Sequence, residues 1–444
     1  MDKPWVDSFK TGGLLFLFIF GIPLYGFPLN TAKIAVILLS IGVIRRRNAR
    51  EALGRLIRSK INLFILFILC FLIVYSAWWP SVKGTGDFEL SYVYLIFALE
   101  RFVGSILFVA YAWSLKFKLE DYINAIICIL LIQVVIIIAM FLSPSLREML
   151  WAVNARSNLE ELSARYGGIR GLGLAGGVAY TMSILLSIGV LLIAYASSQF
   201  GSRWWYVMGS IMLVIGVFFS GRTGWFGIGL AGLFYAYANN LHQYLLAIRS
   251  MLLKLIPGIG LIATVTYYYL EPETIDAVTQ ILIPFAFEPF INLLERGELT
   301  ASSFEATQDM YFLVPESTFW FGDGRWLSLS GKPYNYYMRT DAGYMRHMLF
   351  YGAIISLIFY VMYVVVFYYD IRNANKMWGR KFGALMGALM VYFLVAHWKG
   401  AFLAGANMNT KVLLVMHNII VLAGSSQFIL HRQKDRKEAS THEL

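Results

Sequence analysis

The chain has 444 residues, of which 59% are hydrophobic and 14% charged, and a formal net charge of +11. A soluble protein would carry about a quarter charged residues, so the composition excludes a soluble enzyme with one anchor and points to a polytopic membrane protein. The positive balance sits in the connections between apolar runs and gives no reason to invoke nucleic acid; Cys70 and Cys128, far apart in apolar runs, read as buried fillers with no disulfide or metal role.

A bilayer span needs about 20 apolar residues, and shorter ones serve in hairpins. In chain order the apolar segments are 12–29, 31–44, 61–79, 91–115, 122–142, 174–196, 204–219, 225–239, 255–270, 344–369, 382–402 and 411–430, about twelve spans in all. Residues 1–29 resemble a signal peptide, with Lys3 and Lys10 ahead of an apolar run. No small-residue cleavage site follows and a second run begins at Asn30, so the first span reads as retained. Pairing the first span with the second, and the seventh with the eighth, accommodates the short members.

Orientation follows from lysine and arginine in the connections. Arg45, Arg46, Arg47, Arg50, Arg55, Arg58 and Lys60 fall in one connection, and Lys116, Lys118, Arg203, Arg249 and Lys254 in later ones of the same parity. Arg372, Lys376, Arg380 and Lys381 follow, then Arg432, Lys434, Arg436 and Lys437 in the tail. With Lys3 and Lys10 these are 22 of the 37 basic residues, all on one side of a twelve-span chain. Both termini are therefore expected in the cytoplasm of a cell whose inner membrane holds the protein. The other side receives residues 143–173 and a large loop over 271–343, long enough for short helices. Nothing divides the chain, so residues 1–444 read as one integral membrane domain.

The outer side should be poor in basic residues, yet it holds Arg147, Arg156, Arg165, Arg170, Arg222, Arg296, Arg325, Lys332, Arg339 and Arg346. Arg101, beside Glu100, lies deep in the fourth span, and Lys399 lies near the outer end of the eleventh. Arginine grips phosphate in bidentate fashion. A charge in a membrane is costly unless it is paired or faces water. Arg222 stands between glycines in Ser220-Gly221-Arg222-Thr223-Gly224, at the tip of an otherwise apolar hairpin, and no acid adjoins either it or Arg346 in sequence. These positions imply an anion site at the lipid boundary, suited to a diphosphate carried on a lipid. Asp87-Phe88-Glu89 has acid-x-acid spacing, which alone is weak evidence for a metal. Trp320, Trp326, Tyr334, Tyr336 and Tyr337 are available for stacking on sugars or for an interfacial aromatic belt.

Phe219-Ser220-Gly221-Arg222-Thr223-Gly224 resembles the Ser/Arg/Thr/Gly turn of bacterial O-antigen and exopolysaccharide polymerases of the Wzy type. Phe287-Glu288-Pro289-Phe290, Ser302-Ser303 and Phe321-Gly322-Asp323-Gly324 are similar to that family's large-loop pattern. Thr340-Asp341-Ala342-Gly343-Tyr344-Met345-Arg346 with Tyr351-Gly352 resembles the segment that opens the next span, and His397-Trp398-Lys399 a late span's end. The shared order covers residues 170–420. The resemblance implies an all-α, GT-C-like membrane glycosyltransferase needing no cofactor and no metal. Its partners would be an undecaprenyl-diphosphate-linked oligosaccharide, membrane lipids and a chain-length regulator protein. At the periplasmic face it would transfer the growing glycan from its lipid diphosphate to the non-reducing end of a new lipid-linked repeat. Arg222 and Arg346 would stabilise the leaving diphosphate, and Asp341 or His347 would serve the acceptor hydroxyl. Arg339, Tyr344, Arg165, Arg170, Arg101, Lys399 and Glu316 would hold substrate, with Glu316 also open to the acceptor role. Asp341 could equally cap the helix that begins near Thr340. His397 and His417 read as packed within the bundle. An O-antigen ligase, which would need a loop histidine that 271–343 lacks, and a lipid-linked oligosaccharide flippase are the alternatives.

Overall fold

The structure, a computed structural model, describes residues 4–154, 173–177, 179–201, 203–239, 272–298, 300–328, 336–403 and 408–442, with Gly260 and Thr264. It is a helical membrane protein, and no strand longer than an isolated bridge occurs among the described residues. Six described helices are long and apolar enough to cross a membrane, and four shorter apolar helices accompany them.

Helix α1 runs Pro4–Phe20, α2 Thr31–Arg45, α3 Arg47–Ile57 and α4 Lys60–Val82. Helix α5 covers Glu89–Ser114, with a π-helical turn at Phe97–Phe102, and α6 covers Leu119–Leu142. After α7, Pro144–Val153, come α8 (Ala179–Phe200), α9 (Trp204–Ser220) and α10 (Gly224–Ala238). The large loop folds into α11 (Pro272–Ala277), α12 (Ile283–Arg296), α13 (Ser302–Gln308) and α14 (Glu316–Phe321). Helices α15 (Gly343–Trp378), α16 (Arg380–Lys399) and α17 (Asn409–His442) complete the chain.

Eleven of the twelve expected apolar segments contain a described helix. The remaining one, 255–270, lies outside the described residues apart from Gly260 and Thr264. The first helix ends at Phe20 rather than near residue 29. Gly21 takes φ 52°, a left-handed conformation that stops the helix, and Pro23 and Pro28 keep the following segment from continuing it. Helix α3 lies within a connection expected only to be basic. Ala49, Ala52 and Leu56 are buried while Arg47, Arg50 and Arg58 point outward. The cysteines correct another expectation: Cys70 and Cys128 are exposed, because the apolar face of a spanning helix can turn toward lipid instead of the core.

The α9–α10 hairpin forms as expected, but its arms pack mainly on α8 rather than on each other. Gly224 makes this possible, since a Cβ there would lie 2.6 Å from the Ser183 carbonyl oxygen. Helix α15 is broken at Gly352, where φ is 73° and ψ 174°. The break leaves the Leu349 and Phe350 carbonyls without helical partners, and the Gly322-Asp323-Gly324 turn fills the gap. Asp323 N donates to Leu349 O at 2.7 Å and Gly324 N to Phe350 O at 3.2 Å. A side chain on Gly352 would collide with the Trp320 carbonyl oxygen, 2.2 Å from its Cβ. The paired glycine motifs thus lock the loop onto the broken span.

Candidate functional site: a cationic cluster at the loop end of the bundle

The α9–α10 turn presents Arg222 to the loop, and the structure supplies the acid that its sequence neighbours lack. Arg222 is ion-paired with Glu288 of α12, so the expectation of an arginine without a nearby acid is corrected. Its Nη2 also donates to Ser302 Oγ at 3.2 Å, and its guanidinium lies 4.2 Å from the centre of the Phe285 ring. Glu288 Oε1 accepts from Ser302 N at 2.9 Å, and Oε2 accepts from Ser302 Oγ at 3.1 Å. Glu288 is 24% exposed on its side chain and Arg222 10%, so an incoming anion can compete with this pair from solvent.

Lys399, the last residue of α16, reaches the same turn, its Nζ donating to Thr223 Oγ1 at 3.1 Å. Residue 343 must be glycine for α15 to start there, because a Cβ would sit 2.4 Å from His397 O and 2.5 Å from Gly400 O. That close approach brings Asp341 under the influence of both Arg346 and Lys399. Burial pushes the Asp341 carboxyl up, and the two cations pull it partly back. The N-cap of α15 is Ala342, with no side-chain cap bond, so Asp341 is not the helix cap that the sequence left open.

Arg346 is 6% exposed. Its guanidinium carbon lies 3.6 Å from the ring centres of both Trp326 and Tyr336, and Nη2 donates to the Trp326 carbonyl at 3.5 Å. Among the described residues no carboxylate comes within ion-pair distance of Arg346, and its Nε has no hydrogen-bond partner. Cation–π contact holds the guanidinium without neutralising it. Trp326 and Tyr336, open from sequence to sugar stacking or to an interfacial belt, here lie against an arginine. Asp87 fixes the backbone at Trp326, since its Oδ2 accepts from both Trp326 N and Leu327 N at 2.7 Å. The acid-x-acid triplet is thereby accounted for by the loop's backbone.

His347 is fully buried and its Nδ1 faces Tyr360 Oη at 3.2 Å. The same hydroxyl faces His397 Nε2 at 3.2 Å, and His397 Nδ1 accepts from Leu403 N at 3.0 Å. Because Nδ1 of His397 is an acceptor, the neutral ring carries its proton on Nε2 and donates to Tyr360, which donates on to His347. His347 Nδ1 is consumed in this relay, and its Nε2 has no hydrogen-bond partner. Tyr344 likewise gives its hydroxyl to the Leu394 carbonyl at 3.0 Å and packs against Tyr360 and His397.

Other expected site residues do not join the cluster. Glu316 is exposed in the first turn of α14. Arg339 is exposed at φ 56°, next to Met338 at φ 53°. Arg101 is buried on the π-helical turn of α5. Arg165 and Arg170, with Arg156, lie outside the described residues. Sequence reasoning missed Glu288 and Ser302 as partners of Arg222 and passed over Lys411, a lone lysine in an apolar span whose position is itself a signal. Scanned against protein-family models the chain matches none, and no curated protein matches it.

Proposed function

We propose that the chain is a membrane glycosyltransferase that polymerises lipid-diphosphate-linked oligosaccharide repeats, with both termini in the cytoplasm and the cationic cluster at the periplasmic face of a bacterial inner membrane. The observation that carries this reading is Arg346, a buried guanidinium lying 3.6 Å from the ring centres of Trp326 and Tyr336 with no carboxylate in ion-pair range among the described residues. Arg222 and Lys399 converge on one turn nearby, and Asp341 lies within the field of Arg346 and Lys399. A pre-positioned cation stabilises charge that develops as a leaving group departs.

In the proposed step an acceptor hydroxyl oxygen bonds to the anomeric carbon of the growing glycan. The bond from that carbon to the diphosphate breaks, and the electron pair leaves with the lipid diphosphate beside Arg346 and Arg222. The hydroxyl proton passes to the Asp341 carboxylate. A purified preparation given lipid-linked repeat units should make a ladder of longer glycans without nucleotide or ion gradient, and the ladder should survive EDTA. Movement of substrate across vesicles without any ladder would replace the transferase reading with a flippase. Transfer only to a lipid A-core acceptor would replace it with a ligase.

A further inference from the structure

A second charged site lies away from the Arg222 turn, where α1, α2, α5 and α17 meet. A cavity of about 140 Å³ is lined there by Glu100, Arg101 and Lys411, with Asn30 at its edge. This is room for several waters or for one phosphate group. Residues 176 and 177, which also line it, are glycines packed closely against neighbouring segments. A Cβ would meet Gly21 O at 2.4 Å from the first and Met408 Cε at 2.3 Å from the second.

The lining is built rather than incidental. The π-helical turn Phe97–Phe102 buries the adjacent Glu100 and Arg101 together, and π-turns recur at functional sites. Lys411 is 4% exposed; its ammonium donates to Glu100 Oε1 at 2.9 Å and to the Phe18 carbonyl at 2.7 Å. An ammonium has three N–H groups, so a third remains for the cavity that Lys411 lines. Glu100 uses its other oxygen to accept from Asn30 Nδ2 at 3.2 Å. The lining thus holds two cations, one carboxylate already engaged twice, and a donor to spare. An isolated structural ion pair would need neither the cavity nor the second cation.

We propose that this cavity binds a phosphate group, free or borne on a lipid, through Lys411 and Arg101. The site is independent of the transferase reading, because phosphate binding and glycan transfer can fail separately.

The test uses the full chain in nanodiscs of zwitterionic lipid, with thermal unfolding followed against sodium phosphate and against sodium chloride of matched ionic strength. A parallel set of nanodiscs contains phosphatidic acid. Phosphate-specific stabilisation by the salt marks a free anion as the ligand, and stabilisation only by phosphatidic acid marks a lipid headgroup. No stabilisation in either arm overturns the proposal. The paired substitution Glu100→Gln with Lys411→Met, which removes one charge of each sign, should weaken binding by about tenfold or more. An unchanged response in that variant overturns the proposal as well. Should the paired variant not fold, Arg222→Ala with Arg346→Ala decides the matter. That variant lacks the other anion cluster, so a phosphate response that persists in it belongs to this cavity, and loss of the response would assign phosphate to the other cluster.

Discussion

The buried charge around His417 and the buried charge around Arg346 are treated differently. Around His417, donors and acceptors are matched. His417 Nδ1 faces Asp370 Oδ1 at 2.8 Å and Nε2 faces Asn62 Oδ1 at 2.9 Å. Asn62 Nδ2 donates to Leu56 O and to Asn418 Oδ1, both at 3.0 Å, which fixes its oxygen toward the histidine. Asn418 Nδ2 donates to Ser105 Oγ at 3.0 Å. Both imidazole nitrogens are thus engaged, Nδ1 with the Asp370 carboxyl and Nε2 with the Asn62 amide oxygen. Only Asp370 Oδ2 in this group is left over. Around Arg346, by contrast, the cation lies against Trp326 and Tyr336 and reaches the Trp326 carbonyl, with no carboxylate in ion-pair range among the described residues. The first network ties α4, α5, α15 and α17 together, whereas under the proposed function the second is completed by a ligand.

That contrast makes forecasts, the largest first. His417→Ala should strip Asp370 of its partner and cost about 3–5 kcal/mol of stability. Thermal unfolding in detergent measures this, and Asp370→Leu combined with His417→Leu should recover most of the loss. A small effect of the single substitution would erase the structural half of the comparison.

Arg346→Ala should leave unfolding nearly unchanged while lowering transfer to lipid-linked acceptor by about 10²–10³-fold. Arg346→Lys should rescue little, because an ammonium does not reproduce a planar fork stacked between rings. A variant that inserts normally and still makes a full ladder would make Arg346 a packing residue.

Glu288→Gln sharpens the picture at Arg222. The pair is partly exposed and worth about 1 kcal/mol or less, so an anion that must displace Glu288 should bind up to about fivefold tighter in the variant. A fall in KM with kcat retained is the expected signature. A rise in KM would show that Glu288 positions Arg222 instead of competing for it.

The smallest forecast is a shift along the pH axis. Burial raises the Asp341 carboxyl, so it stays protonated to higher pH than an ordinary aspartate, whose value is about 3.9. A base must be ionised, so kcat/KM should rise as pH climbs through the raised value and fall away below it. Lys399→Gln removes a cation that pulls Asp341 down and should move this acid limb upward. An acid limb that does not move, or a fully active Asp341→Asn, would remove Asp341 from the chemistry.

Much of the architecture was legible from the amino acids. Apolar runs of span length become helices because an apolar environment offers backbone groups no other partner, and the expected segments match α2, α4, α5, α6 and α8 to within a few residues. Arg222 was legible as a special position because glycines flank it in an apolar stretch. Contacts were not legible. Arg222 meets Glu288 across the large loop, Asp87 holds a backbone 239 residues away, and His417 joins an asparagine 355 residues earlier in the chain. Local composition and periodicity dictate where a helix forms and which residues are costly to bury. They carry no record of which distant element will arrive beside each charge, and that arrangement decides whether a buried charge meets an opposite charge or aromatic rings. It follows from helix packing, from the break at Gly352 and from the close approach at Gly343, each of which exists only once the whole chain has folded.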